Sequence, residues 1–410
     1  MPFSFARRAA PFVAFILGLA AGHADPRAAG IEPAGSRAVA VGAQFVADQA
    51  STRLTISLSR AVEASSFHLE RPDRVVVDLP EVNCQIPAET NRRRSALVAS
   101  FRCGLFAVGR SRLVVELAQP ALVTRLALED GPTEGSKNLV LELAPTDRDT
   151  FRRKAGLRES EPETTGSLSV APILDGRPLV AIDAGHGGSD PGATAATGHR
   201  EKDIVLIFAQ ALRDRLIAWG RVRVLMIRDA DVFVPLDERV RLARQASADL
   251  FVSIHGDYIG SQAVRGATIY TGAERATDVE SAKLAERENA ADYAGGIAPP
   301  GALAGISDIL QELTLRETRG LSHRFAGMLQ GDLSPVMGFS AQPHREAGFR
   351  VLRAPDMTSV LVELGYLSNN KDANLLLSED WRRKAAAAMA GAVERFFGGR
   401  SPSRAAAVSP

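Results

Sequence analysis

The spacing of apolar residues changes once along the chain, near Pro178, and that change limits the fold more than any other feature. Before it, short runs alternate apolar with polar residues. They are Leu54-Thr55-Ile56-Ser57-Leu58, Val75-Val76-Val77-Asp78-Leu79, Leu113-Val114-Val115-Glu116-Leu117 and Leu139-Val140-Leu141-Glu142-Leu143. Turn residues separate them and no strong helical pattern intervenes, so residues 37–146 are expected to form a small all-β sandwich. After Pro178 strands alternate with helical spacing. Residues 179–183, 222–227 and 250–254 read as strands. Ile204, Phe208, Leu212 and Leu216 mark the apolar face of one helix, and 236–246 reads as another. Three more strands are expected at 267–271, 349–352 and 360–364, and a closing Ala-rich helix at 381–397. This alternation predicts an α/β domain over 178–398, a mixed sheet covered by helices, behind the sandwich.

The remaining segments are polar or leader-like. Residues 147–176 carry Arg152, Arg153, Lys154, Pro162 and Pro172 and read as a linker. Arg7 and Arg8 precede an apolar run over 9–22, and Gly22 and Ala24 frame a cut before Asp25. That is the layout of a signal peptide, 1–24, with a run too short to span a bilayer. No later stretch is long enough for a membrane helix, so an exported protein with no transmembrane segment is expected. Lys plus Arg number 49 against 48 for Asp plus Glu, a net charge of +1. Such a balance excludes nucleic-acid binding through a strongly basic field. Two cysteines are too few for a disulfide scaffold or a Cys-based zinc module. In an oxidising compartment Cys84 and Cys103 suit a disulfide; the other reading is two buried free thiols.

The chemistry gathers at strand ends. His186 and His255 directly follow buried strands, where open α/β sheets form their sites. Glu363 is a carboxylate inside the apolar run Val360-Leu361-Val362-Glu363-Leu364, and a buried carboxylate requires a partner. Glu201 opens the helix whose apolar face begins at Ile204. Two imidazoles and a carboxylate form a common ligand set for catalytic zinc, and a further carboxylate can act as general base. Taken singly, each residue also has a structural reading. The glycine-rich loop at 185–192 matches neither GxGxxG nor a P-loop, and no GxSxG or HExxH is present.

The string Ala181-Ile182-Asp183-Ala184-Gly185-His186-Gly187-Gly188-Ser189-Asp190-Pro191-Gly192-Ala193, followed by Gly198-His199-Arg200-Glu201-Lys202-Asp203, resembles the zinc-dependent N-acetylmuramoyl-L-alanine amidases. Ser253-Ile254-His255-Gly256-Asp257 is similar to that family's second histidine motif, with glycine at 256 where alanine is usual. Ser359-Val360-Leu361-Val362-Glu363-Leu364-Gly365-Tyr366 resembles its catalytic-glutamate strand. The resemblance implies Zn2+ held by His186, Glu201 and His255, with Glu363 as general base. The β-rich part, through Glu70-Arg71-Pro72-Asp73-Arg74-Val75, resembles the AMIN domain, which implies peptidoglycan targeting in the periplasm, often at the septum.

About 75 residues separate the strands expected at 267–271 and 349–352, well beyond an ordinary loop. Residues 277–293 and 308–330 read as helices of a regulatory insert at about 274–346. Leu284-Ala285-Glu286-Arg287-Glu288-Asn289 resembles the helix that covers zinc in autoinhibited division amidases. By that resemblance Glu288, with Glu286 second, fills the open metal position until a LytM-domain activator removes it. The expected activity is hydrolysis of the amide between N-acetylmuramic acid and L-alanine. The alternatives are a non-catalytic wall-binding scaffold with a degenerate amidase domain, and another zinc peptidase.

Overall fold

The computed structural model describes residues 37–398 apart from 48–50, 88–89, 91–94, 108, 157–174, 260 and 298–308. The expected signal peptide, most of the linker and the C-terminal tail lie outside the described residues. The alternating runs pair as β1 (Ala38–Ala47), β2 (Thr52–Leu58), β3 (Ser65–Leu69), β4 (Arg74–Pro80) and β5 (Val82–Cys84). They continue as β6 (Val98–Ala107), β7 (Arg110–Leu117), β8 (Ala121–Asp130) and β9 (Lys137–Pro145). One sheet runs β5–β1–β2–β9–β8 and the other β3–β4–β7–β6. Leu54, Ile56, Leu139 and Leu141 of the first sheet share a core with Val75, Val77, Leu113 and Val115 of the second. Val76 and Val114, on the opposite face of the second sheet, are also fully buried. Burial on both faces explains why 75–77 and 113–115 are unbroken valine and leucine.

The segment expected as a linker from 147 begins instead with a helix, α1 (Arg148–Gly156). Phe151 and Ala155, four residues apart on one face, are buried in the sandwich core. Their stripe is too short to stand out among Arg152, Arg153 and Lys154. Cys84 on β5 is bonded to Cys103 on β6, so the disulfide ties one sheet to the other. Closing that loop stabilises the fold by about 3 kcal/mol. Cys84→Ser with Cys103→Ser is therefore expected to lower the denaturant midpoint, and reduction of the wild type to do the same. Equal midpoints for oxidised and reduced protein would refute this.

The second domain is built from β10 (Leu179–Ala184), α2 (Glu201–Trp219), β11 (Arg223–Met226), α3 (Leu236–Gln245), β12 (Leu250–His255) and β13 (Ala267–Gly272). Then come α4 (Val279–Asn289), α5 (Ala291–Ala294), α6 (Ile309–Leu333), β14 (Phe339–Ala347), β15 (Thr358–Glu363), α7 (Asn370–Leu377) and α8 (Glu379–Gly398). The sheet order is β11–β10–β12–β15–β13–β14. Its first four strands are parallel, β13 is antiparallel to β15, and β14 is parallel to β13. Side chains leave β10 alternately. Val180 and Ile182 pack with Phe208, Leu212, Phe325 and Phe396 on the α2–α6–α8 side. Leu179 and Ala181 pack with Leu242, Leu284 and Phe349 on the α3–α4 side.

The strand expected at 349–352 is a 3-10 turn, Arg350–Leu352. Phe349, Val351 and Leu352 are apolar because they fill the second core cluster rather than because they pair. The strand lies earlier, in β14, an edge strand carrying Ser340, Gln342, Pro343 and His344. An edge tolerates polar residues and proline, so no apolar alternation marked it. The helical part of the insert accordingly ends before Phe339. From β10 the chain passes through α2 to β11 on one side, then through α3 to β12 on the other. The carboxyl ends of β10 and β12 therefore flank a topological switch point, where such sheets open a crevice.

Candidate metal centre

Three neighbouring strands aim their carboxyl ends at one point. His186 follows β10 by two residues, His255 ends β12, and Glu363 ends β15, where it is the register partner of His255. Glu201 enters from the first residue of α2, and Glu288 from α4. His186 has a left-handed backbone, φ 58°, which is uncommon for a side chain bearing Cβ. Three buried cations hold that loop. Arg239 donates to His186 O at 2.8 Å and to Asp183 Oδ1 at 2.8 Å. Arg228 donates to Gly185 O at 2.7 Å, and Lys202 Nζ to Gly188 O at 2.8 Å. Gly185 is required by close approach, since a Cβ there would lie 2.3 Å from His255 Cε1. At Gly256, by contrast, a Cβ would meet only Leu376 Cδ1, at 3.6 Å, and Gly365 O, at 3.9 Å, so the usual alanine would fit and its loss changes little.

His186 Nδ1 pairs with Asp190 Oδ2 at 2.8 Å. A carboxylate on Nδ1 fixes the tautomer that leaves Nε2 as the electron-pair donor. That Nε2 is buried without a hydrogen-bond partner among the described residues. It lies 3.0 Å from Glu201 Oε1 and 3.5 Å from Glu288 Oε2. His255 Nδ1 lies 3.2 Å from each of the same two oxygens. Glu201 is itself anchored by the Ala193 N–H at 2.8 Å and the Gly256 N–H at 3.0 Å. Ligands bonded tetrahedrally to zinc at about 2.0–2.2 Å stand about 3.3 Å from one another. The separations here span that value, and nitrogen with carboxylate oxygen is a donor set that zinc accepts. His186, His255 and Glu288 offer ligand atoms within 4.8 Å of one another, all buried. The residues present therefore fit a zinc ion.

The electrostatics are those of a site made for a cation. Burial pulls the His186 pKa down, yet Glu201, Asp190 and Glu288 together overcome it and hold the imidazole well above its ordinary value. Burial, only partly opposed by His255 and His186, pushes Glu288 up to about 7. Glu363 is fully buried. Burial first, then Asp257 and Glu201, raise its pKa well above the carboxylate range. Its Oε2 accepts from the Asp257 N–H at 3.0 Å, whereas Oε1 has no partner among the described residues. A cavity of about 520 Å3 opens beside the cluster, lined by His186, Glu201, Asp257 and Glu288 and, from the β-sandwich, Arg102 and Glu116.

His186, Glu201, His255, Glu363 and Glu288 are thus brought together. Glu286 is not: it is exposed, because a helix turns residues two apart away from each other. Asp190, Lys202, Arg228 and Arg239 were missed as functional residues. Asp190 could have been found from its place four residues after His186; the cations carry no such signal, since lysine and arginine are ordinarily exposed.

Residues 180–395 match the Amidase_3 family, described as N-acetylmuramoyl-L-alanine amidase, and residues 42–143 match the AMIN domain. The N-acetylmuramoyl-L-alanine amidase AmiC of Neisseria meningitidis serogroup B is 34% identical over 368 residues, 84% of this chain and 87% of that protein. AmiC of Escherichia coli O6:H1 is 31% identical over 366 residues, 84% of this chain and 86% of that protein. AmiA of Escherichia coli K12 is 33% identical over 223 residues, 54% of this chain and 77% of that protein. A family match that spans the whole strand-end cluster, together with relatives alike over most of the length, means that the chain belongs to the N-acetylmuramoyl-L-alanine amidase family, with an AMIN domain ahead of the catalytic one.

Proposed function

We propose that the protein is an exported, zinc-dependent amidase that cuts the bond between the lactyl group of N-acetylmuramic acid and L-alanine in peptidoglycan, for wall remodelling and daughter-cell separation. The observation that carries this reading is buried Glu363, whose Oε1 has no partner among the described residues, standing as the register partner of His255, whose ring lies 4.9 Å from that of His186. His186, Glu201 and His255 would hold the zinc. Bound there, zinc supplies Lewis-acid polarisation of the scissile carbonyl and acidifies water. Glu363 Oε1 takes the proton from the attacking water and returns it to the departing amine, leaving a lactyl carboxylate and a free L-alanine amino group. Asp257 holds the other oxygen of Glu363, so the accepting atom stays fixed. Asp190 keeps His186 in the ligating tautomer. A degenerate scaffold has no need of such a glutamate, and no observation favours that reading.

We read Glu288, whose Oε2 lies 3.5 Å from His186 Nε2 and 3.2 Å from His255 Nδ1, as filling the position that the substrate carbonyl and water would use, so that this conformation is the resting form. Arg287 secures it by donating to Asp257 Oδ2 at 2.5 Å, and Asn289 by donating to Gly348 O at 3.0 Å. Release falls to a partner, by family likeness a LytM-domain protein, in the periplasm at the septum. No helix among the described residues is long and apolar enough to cross a membrane.

Mass spectrometry of digested sacculi, read beside metal content, tests the assignment. The products expected are glycan chains bearing intact lactyl groups and peptides beginning with L-alanine. His186→Ala or His255→Ala is expected to lose metal and turnover together. Products cut within the peptide, or a His186→Ala variant that keeps both metal and turnover, would overturn it.

A further inference from the structure

The second sheet of the sandwich, β3–β4–β7–β6, is buried on the side away from its own core, and part of what covers it is the end of the Glu288 helix. Arg74 on β4 is fully buried; its Nη1 donates to Tyr293 O at 2.8 Å and Ile297 O at 3.2 Å. Its guanidinium also sits 5.2 Å from the centre of the Tyr293 ring. Arg112 on β7 is fully buried too. It grips Asp78 at 2.6 Å and 3.2 Å, and donates its Nη1 to Gly296 O at 3.1 Å. Buried guanidinium groups are costly unless their donors are used. Here the two Nη1 groups are used by backbone carbonyls in and just past α5, while Arg74 Nε donates to Pro72 O and the rest of the Arg112 fork to Asp78.

The fit is close as well as polar. Gly296 turns in the left-handed region, φ 73°, and a Cβ there would come within 2.9 Å of Val114 and 3.0 Å of Arg112. On β6, a Cβ at Gly104 would lie 2.3 Å from the Gly188 backbone, in the loop that carries His186. Leu105 O accepts from the Phe233 N–H at 3.0 Å, and Phe106 stacks on Phe233 with ring centres 6.3 Å apart. Phe233 in turn lies against Gly295, where a Cβ would meet its ring at 2.3 Å. Glu288 stands little more than one helical turn before Tyr293, with only Ala290 between α4 and α5. It cannot swing far from the imidazoles while Tyr293–Gly296–Ile297 stays seated.

We propose that this face of the AMIN domain is an intramolecular docking surface for residues 290–297, and that Arg74 and Arg112 are positioning residues that keep the Glu288 helix closed over the metal ligands. The AMIN domain is then part of the switch as well as an anchor to the wall. This rests on the reading of Glu288 as an inhibitory ligand.

The test uses the full chain without any activating partner. Arg74→Met keeps the bulk of the side chain and removes its donors; Gly296→Val attacks the same contact from the helix side. Two quantities are read: basal release of peptide from sacculi, and amide hydrogen exchange over residues 284–297. Both variants are expected to raise basal turnover and to speed exchange in that segment about tenfold, with His186 and His255 still binding metal. Where Arg74→Met also unfolds the sandwich, seen as lost protection in β4 and β7, the clamp is gone and both quantities must still rise. Unchanged exchange and turnover in both variants, beside a Glu288→Ala control that is activated, would overturn the clamp and leave Glu288 as the inhibitor. A Glu288→Ala control that is not activated would count against the inhibitor reading, while faster exchange in Arg74→Met would still support the docking surface.

Discussion

Glu363→Gln is expected to lower turnover on sacculi by about a thousandfold while the protein keeps its metal. The amide keeps the shape and the hydrogen bond from Asp257, but its oxygen and nitrogen cannot take up and return a proton. Glu363 stands at the end of β15 and is separated in role from His186, Glu201 and His255, whose donor atoms face each other. Metal content and turnover therefore fall together in ligand variants and separate in this one. Glu363→Gln that retains near-wild-type turnover would show that another group carries the proton.

The second large effect has the opposite sign. Glu288→Ala is expected to raise basal turnover by about tenfold to a hundredfold, as the population held closed is released. Its buried Oε2 lies 3.2 Å from His255 Nδ1, and on the proposed reading it competes there for the space that substrate needs. Activity of Glu288→Ala measured against wild type at matched metal content decides the matter. Equal basal rates would show that Glu288 is a passive neighbour of the site. Glu286→Ala is the matched control: exposed on the opposite face of α4, it is expected to leave the rate unchanged.

Much of the site could be read before the fold was known, because its residues break local rules. A glutamate in Val-Leu-Val-Glu-Leu and histidines closing apolar strands are out of place unless something binds them. Glu288 needed the family likeness, although its own surroundings held a signal. Leu284, Ala285 and Glu288 lie on one buried stripe, so the carboxylate sits where an apolar residue would be expected. Arg74, Arg112, Arg228 and Arg239 were not legible. An arginine is ordinarily a surface residue, and its burial here is decided by carbonyls supplied from distant segments. The same holds for β14, whose pairing with β13 depends on a neighbouring edge and leaves no pattern in its own residues.

The helix bearing Glu288 belongs to the loop between β13 and β14, so on the proposed reading the competitor for the metal position is part of the same chain. A tethered group of this kind faces its target at an effective concentration on the order of millimolar, whatever the amount of protein in solution. Dilution cannot relieve it, and neither can more substrate unless substrate binds more tightly than that local excess. Control then lies with whatever displaces the helix, by capturing the opened loop or by freeing residues 290–297 from the AMIN face; a partner that merely gathers enzyme at the wall and leaves that face seated does not change the rate.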